Sequence, residues 1–97
     1  MAGAEERKRV RPRDRARIFY DIVCSVIKQE RSGDVARITR TQSEVNLPSD
    51  RFRQYLQEMD RLQLLRYGDT LACTERGKEF ASEFERVIDV LKRFGLA

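Results

Sequence analysis

The sequence predicts a mainly α-helical domain carrying one small β-hairpin, and three observations support this. Two short helical segments, about Arg40 to Val45 and about Ser49 to Leu62, are separated only by Asn46-Leu47-Pro48, which leaves room for a tight corner. Two apolar runs, Leu64-Leu65-Arg66-Tyr67 and Thr70-Leu71-Ala72-Cys73, flank Gly68-Asp69, a two-residue hairpin signal. Thr74-Glu75-Arg76-Gly77 then opens a last amphipathic helix. Helix, turn, helix and hairpin in this order make a winged helix-turn-helix, and the other segments attach to it.

Composition narrows the chemistry. Ninety-seven residues allow one small domain, and 37% charged against 40% hydrophobic residues fits a packed helical chain. The net charge of +4 favours an anionic partner. Histidine is absent, which removes the commonest general acid/base and the commonest metal ligand. Cys24 and Cys73 stand far apart and form no Cys-x-x-Cys pair, so they are expected to be reduced, packed thiols. No nucleophile–base pair, glycine-rich phosphate loop or metal cluster is visible; the expectation is no enzyme, no cofactor and no metal. No apolar run approaches the roughly 20 residues that span a bilayer. The expected location is therefore the cytoplasm, on the nucleoid, with no membrane contact and no small-molecule ligand.

Taken in order, residues 1–12 read as a flexible basic arm with Arg7, Lys8, Arg9 and Arg11. From Arg7 to Arg17 seven cations face one acid, Asp14, as suits a segment that tracks a phosphate backbone. Helix 1 is predicted from about Arg13 to Gln29, with Ile18, Phe19, Ile22, Val23 and Val26 as its inward stripe. Tyr20, Cys24 and Ile27 form a second apolar stripe, which needs cover from the C-terminal helix or from another subunit. Val35 to Ile38 is read as a small strand joining the wing, and Thr39 as the N-cap of helix 2. Leu47 plugs the corner, and either Pro48 or Ser49 caps helix 3.

Along helix 3, Phe52, Leu56 and Met59 point inward, with Tyr55 and Leu62 at the flank. The opposite face carries Asp50, Gln54, Gln57 and Arg61, flanked by Arg51, Arg53 and Glu58. A two-residue hairpin loop would set Leu64 opposite Cys73 and Arg66 opposite Leu71. Thr74 is the expected N-cap of helix 4, with Glu75 at its positive end. Phe80, Phe84, Val87, Leu91 and Phe94 recur as a heptad seam, widened by Ile88 and Val90. Residues 13–79 are thus assigned to the DNA-binding domain and residues 80–97 to a C-terminal dimerisation helix.

Thr39-Arg40, Asn46-Leu47, Phe52, Tyr55-Leu56, Leu64-Leu65 and Thr74-Glu75-Arg76-Gly77-Lys78-Glu79-Phe80, in this order and spacing, carry a family resemblance. The chain resembles the small archaeal winged-helix proteins, the ArnR-like family that includes dimeric basic chromatin proteins. The likeness covers about residues 15 to 94, and the Thr-x-x-Gly-x-x-Phe opening of helix 4 is its most telling piece. It implies DNA binding by the winged helix and dimerisation through C-terminal helices. Three features depart from it: Gln63 stands where a glycine is usual, the connection before Thr39 is longer, and the last helix stops near Phe94. A compact dimer through helices 1 and 4 is expected in place of a long rod.

Roles follow from the docking geometry of winged helices, in which helix 3 enters the major groove. Arg51, Arg53, Gln54 and Gln57 are then the groove-facing candidates, with Ser49 at the helix start; arginine reads guanine and glutamine reads adenine. Thr39, Arg40, Thr41 and Ser43 are candidates for phosphate contacts from helix 2, and Arg66 from the wing. The expected dimer interface comprises Tyr20, Cys24, Ile27, Phe84, Val87, Ile88, Leu91 and Phe94. Double-stranded DNA and a second copy of the chain are the expected partners. The competing reading is a winged helix used as a protein-interaction module, favoured by the acids Asp50, Glu58 and Asp60 on helix 3.

Overall fold

The computed structural model describes residues 13–96. Arg13–Arg17 forms a π-helical turn that runs into α1 (Ile18–Arg31). There follow α2 (Ile38–Val45), α3 (Ser49–Arg61), β1 (Leu65–Tyr67), β2 (Leu71–Cys73) and α4 (Glu75–Arg93). The architecture is a winged helix-turn-helix with a C-terminal helix.

The core forms where the three- and four-residue spacing of α1 meets that of α3. Ile22, Val23 and Val26 of α1 and Phe52, Leu56 and Met59 of α3 are all 0% exposed, and Leu65 and Leu71 close the core from the hairpin. Each such side chain contributes about 1.5–3 kcal/mol by leaving water. α1 is the central post, with α2, α4 and β2 packed against it.

Three local expectations are corrected. The segment 35–38 is not a third strand. Ala36 alone makes an antiparallel bridge to Leu71, whose N–H donates to the Ala36 carbonyl at 2.9 Å, and Ile38 already begins α2. Thr39 consequently lies inside α2, and Arg37 is its N-cap without a side-chain cap bond. The hairpin register is shifted by one: Leu65 pairs with Cys73, Arg66 with Ala72 and Tyr67 with Leu71, around a three-residue loop. Paired residues share a face, so this register buries Leu65 and Leu71 together and leaves Arg66 outside. A two-residue loop would have put Arg66 and Leu71 on one face, and water does not release an unpaired guanidinium cheaply.

The junction between α3 and the wing is a left-handed cap. Gln63 has φ +65°, its N–H donates to the Asp60 carbonyl at 3.0 Å, and the Leu64 N–H donates to the Met59 carbonyl at 2.9 Å. This two-bond ending usually employs glycine, which gives a backbone reason for the glycine usual at this position. Thr74 ties the same junction to α4: its hydroxyl donates to the Gln63 carbonyl at 2.6 Å and accepts the Gly77 N–H at 2.9 Å. Gly77 is buried against the Leu64 carbonyl, close enough that a Cβ there would overlap the carbonyl oxygen. The Thr-x-x-Gly spacing is thus a cap plus a close backbone approach.

α4 runs unbroken through the 79/80 boundary, and Ala81 belongs to the core. Its first turns are part of the domain. Farther along, Val87 (51% exposed), Phe94 (72%) and Leu96 (72%) stand in water.

Candidate nucleic-acid interface

α2 and α3 meet at Asn46, which takes φ +59° and ends α2. Gln42 fastens the corner, donating from Nε2 to the Leu47 carbonyl and to Ser49 Oγ, both at 3.0 Å. Ser49 Oγ is an acceptor in that bond, so its proton remains available to an outside acceptor. Pro48 is the N-cap of α3 and supplies no side-chain bond to the first N–H groups. Those N–H groups and the helix dipole give this end a positive field, which Asp50 in the first turn opposes.

On α3 the helical repeat separates the side chains into three strips. Asp50, Gln54, Gln57 and Arg61 are exposed on the face opposite Phe52, Leu56 and Met59. Arg51, Tyr55 and Glu58 line one flank; the Arg51 guanidinium lies 3.4 Å from the Tyr55 hydroxyl. Arg53 and Asp60 line the other, where Asp60 Oδ1 accepts the Tyr67 N–H of the wing at 3.2 Å. The first flank receives the start of α1: Arg15 pairs with Glu58, and Phe19 meets Tyr55 edge to face at 5.8 Å. Arg61 sits at the apex of the exposed face. Its place on the helical repeat already put it there.

α2 presents Thr39, Arg40 and Ser43 to solvent. Arg40 Nε lies 3.4 Å from Glu44 Oε2, an exposed pair that a phosphate can replace. Glu44 also accepts from the Ser25 hydroxyl at 2.6 Å and meets Lys28 at 3.5 Å. The Ser25 bond above all holds the Glu44 carboxyl below its ordinary range, with Lys28 and Arg40 assisting. Thr41 is corrected: it is 0% exposed and cannot touch a phosphate. Its hydroxyl accepts from Gln29 Nε2 at 2.8 Å, while Gln29 Oε1 accepts the Arg37 N–H at 2.9 Å. Gln29, itself 2% exposed, therefore caps from α1 the N–H of Arg37, the N-cap residue of α2. A long-range cap of this kind leaves no signal at the helix start.

Arg66 is exposed on the outer face of the wing. Arg7, Lys8, Arg9 and Arg11 lie outside the described residues. Of the expected dimer residues, Tyr20 is half-buried against α4 of its own chain. The Tyr20 ring lies 4.9 Å from that of Phe84, and its hydroxyl donates to Glu85 at 3.0 Å. Cys24, Ile27 and Ile88 are half-buried, whereas Val87, Leu91 and Phe94 are exposed. Burial pushes the Cys24 thiol up and the Cys73 thiol to about 11, so both stay protonated near neutrality.

Among the described residues no group of three metal-ligating side chains converges, and no helix is long and apolar enough to cross a membrane. No curated protein and no solved structure gives a significant match to the chain. A family model described as winged helix-turn-helix matches residues 12–92. From the π-helical turn to the end of α4, the chain belongs to the winged helix-turn-helix family.

Proposed function

We propose that this protein binds double-stranded DNA as a homodimer, with α3 in the major groove, and acts as a transcriptional regulator or nucleoid-associated protein. The observation that carries the reading is the exposed strip of α3 with Gln54, Gln57 and Arg61, flanked by Arg51 and Arg53. Glutamine and arginine are the side chains that pair bidentately with adenine and guanine edges. Ser49, Thr39, Arg40 and Ser43 supply phosphate contacts on one side of this strip, and Arg66 supplies another from the wing. The interaction-module reading loses much of its support, because two of its three acids are engaged internally, Glu58 with Arg15 and Asp60 with the wing backbone.

Arg53→Ala and Gln54→Ala should each cost roughly 1–3 kcal/mol on a cognate duplex and much less on random DNA. Fluorescence anisotropy on both duplexes, at several salt concentrations, measures this. Equal losses on every sequence would remove base reading and leave a backbone-binding chromatin protein. No loss on either would end the DNA reading of α3.

The dimer is supported by the distal half of α4, where Val87, Val90, Leu91 and Phe94 recur on one face and remain 37–72% exposed. Burying such side chains from two copies at about 1.5–3 kcal/mol each offsets an association cost of some 4–15 kcal/mol. Leu91→Glu places an unpaired charge in that face and should give a monomer whose winged helix remains folded. Sedimentation equilibrium decides it. A wild-type chain that stays monomeric to about a hundred micromolar, where a pairing of this size should already be populated, ends the dimer proposal.

A further inference from the structure

The three acids of α3 are engaged differently. Glu58 is held by Arg15, and Asp60 accepts the Tyr67 N–H of the wing. Asp50 is exposed and, among the described residues, has neither an ion pair nor a hydrogen bond. Arg53, three residues on and within reach along a helix, leaves it unpaired. Asp50 stands on the strip opposite the buried Phe52, Leu56 and Met59, in line with Gln54, Gln57 and Arg61. Those strip side chains are equally without partners among the described residues, whereas the amides of Gln29 and Gln42 are bonded within the fold. A carboxylate anywhere in the first turn suits the helix dipole. On this face its charge also meets whatever α3 docks against.

We propose that Asp50 selects the base at one end of the site that α3 reads, accepting a hydrogen bond from the exocyclic N4 amino group of a cytosine. The proposal deepens the DNA-binding reading of α3 and rests on it. A carboxylate can only accept. In the major groove the amino groups of cytosine and adenine are donors, while guanine O6 and N7 and thymine O4 are acceptors that repel it. Adenine sets its N7 acceptor beside the amino group, so cytosine is the base that suits a carboxylate. Away from that base the same charge faces phosphates, so it weakens docking on every other sequence and raises specificity by repulsion. At about 1.5 Å per residue, Asp50 precedes Gln54 by about 6 Å along the helix, roughly two base-pair steps. The cytosine is therefore expected about two base pairs from an adenine read by Gln54.

The test is selection from a pool of short duplexes with a randomised centre, using the full chain, Asp50→Ala and Asp50→Asn. Duplexes retained by the unaltered chain should share a cytosine that Asp50→Ala no longer selects, with preferences elsewhere unchanged. Asp50→Asn should move the preference at that position to adenine, which an asparagine amide pairs bidentately. Fluorescence anisotropy then measures affinity. Exchanging the selected C·G pair for T·A should weaken the unaltered chain roughly five- to 100-fold and Asp50→Ala by no more than about twofold. On duplexes lacking the cytosine, Asp50→Ala should bind more tightly than the unaltered chain, by a margin that shrinks as salt rises. The same base preferences in all three proteins would overturn the proposal. So would a uniform gain or loss on every duplex, the mark of a carboxylate that acts only on phosphates or on the helix dipole. Thermal unfolding of each variant verifies the fold; should Asp50→Ala perturb it, the switch to adenine in Asp50→Asn decides. An unaltered chain that retains no duplex would overturn the DNA reading itself, an outcome distinct from binding with unaltered preferences.

Discussion

Gly77→Ala should destabilise the domain by about 3 kcal/mol or more, a large part of the roughly 5–15 kcal/mol that holds a domain together. In most helix interiors the same change stabilises by about 1 kcal/mol, because alanine loses less backbone entropy than glycine. The sign reverses here for steric reasons. An added methyl overlaps the Leu64 carbonyl oxygen and lies 3.0 Å from Cys73 Sγ. Neither neighbour yields easily, since Leu64 is held by its bond to Met59 and Cys73 by its pairing with Leu65. The helix must therefore tilt away, which strains the Thr74 cap and loosens Ala81 and Phe80 from the core. Urea unfolding of Gly77→Ala beside Ser82→Ala, an exposed site on the same helix, separates the two effects. A Gly77→Ala protein as stable as wild type would mean that α4 does not approach the wing strand this closely.

Gln29→Leu should be the second costly change, roughly 2–4 kcal/mol, even though leucine fits the same volume. Gln29 is a fully packed amide of α1 whose two ends both reach α2, one at its N-cap residue and one at Thr41. Its Nε2 donates to Thr41 Oγ1 and, at 3.2 Å, to Ser25 Oγ, while its Oε1 accepts the Arg37 N–H. Leucine would take this partner from the Arg37 N–H and the Thr41 hydroxyl, while Ser25 keeps its bond to Glu44, and each stranded group carries its own desolvation cost. The damage should be local before it is global. Amides of the first turn of α2 should lose hydrogen-exchange protection ahead of those in α1. Because α2 carries Thr39, Arg40 and Ser43, DNA affinity should fall with them. A double-mutant cycle with Thr41→Val tests the network: strict additivity would show that the two side chains do not act together.

Much of this protein follows from the sequence alone, for reasons of local chemistry. Helical spacing placed the inward stripes of α1 and α3, and the apolar runs around Gly68-Asp69 placed the wing. Thr74 capped α4 as its side chain required. The family resemblance had placed a usual glycine at position 63, and the left-handed backbone there gives the reason. These signals reside in a few neighbouring residues, so no distant contact is needed to read them. The tertiary structure decided everything that depended on a distant partner. The hairpin register shifted because burying Leu65 beside Leu71 outweighs the preference for a two-residue turn. Thr41 left the candidate interface because Gln29, twelve residues earlier, reaches across from α1 to bond it. Tyr20 is half-covered because α4 folds back far enough for Phe84 to lie against it, while the distal half of the same apolar seam stays exposed. The acids of α3 illustrate the same limit. Sequence placed Asp50 on the exposed face and Glu58 on its flank, but named no partner for either or for Asp60. Only packing showed that Glu58 holds Arg15 and that Asp60 holds the wing.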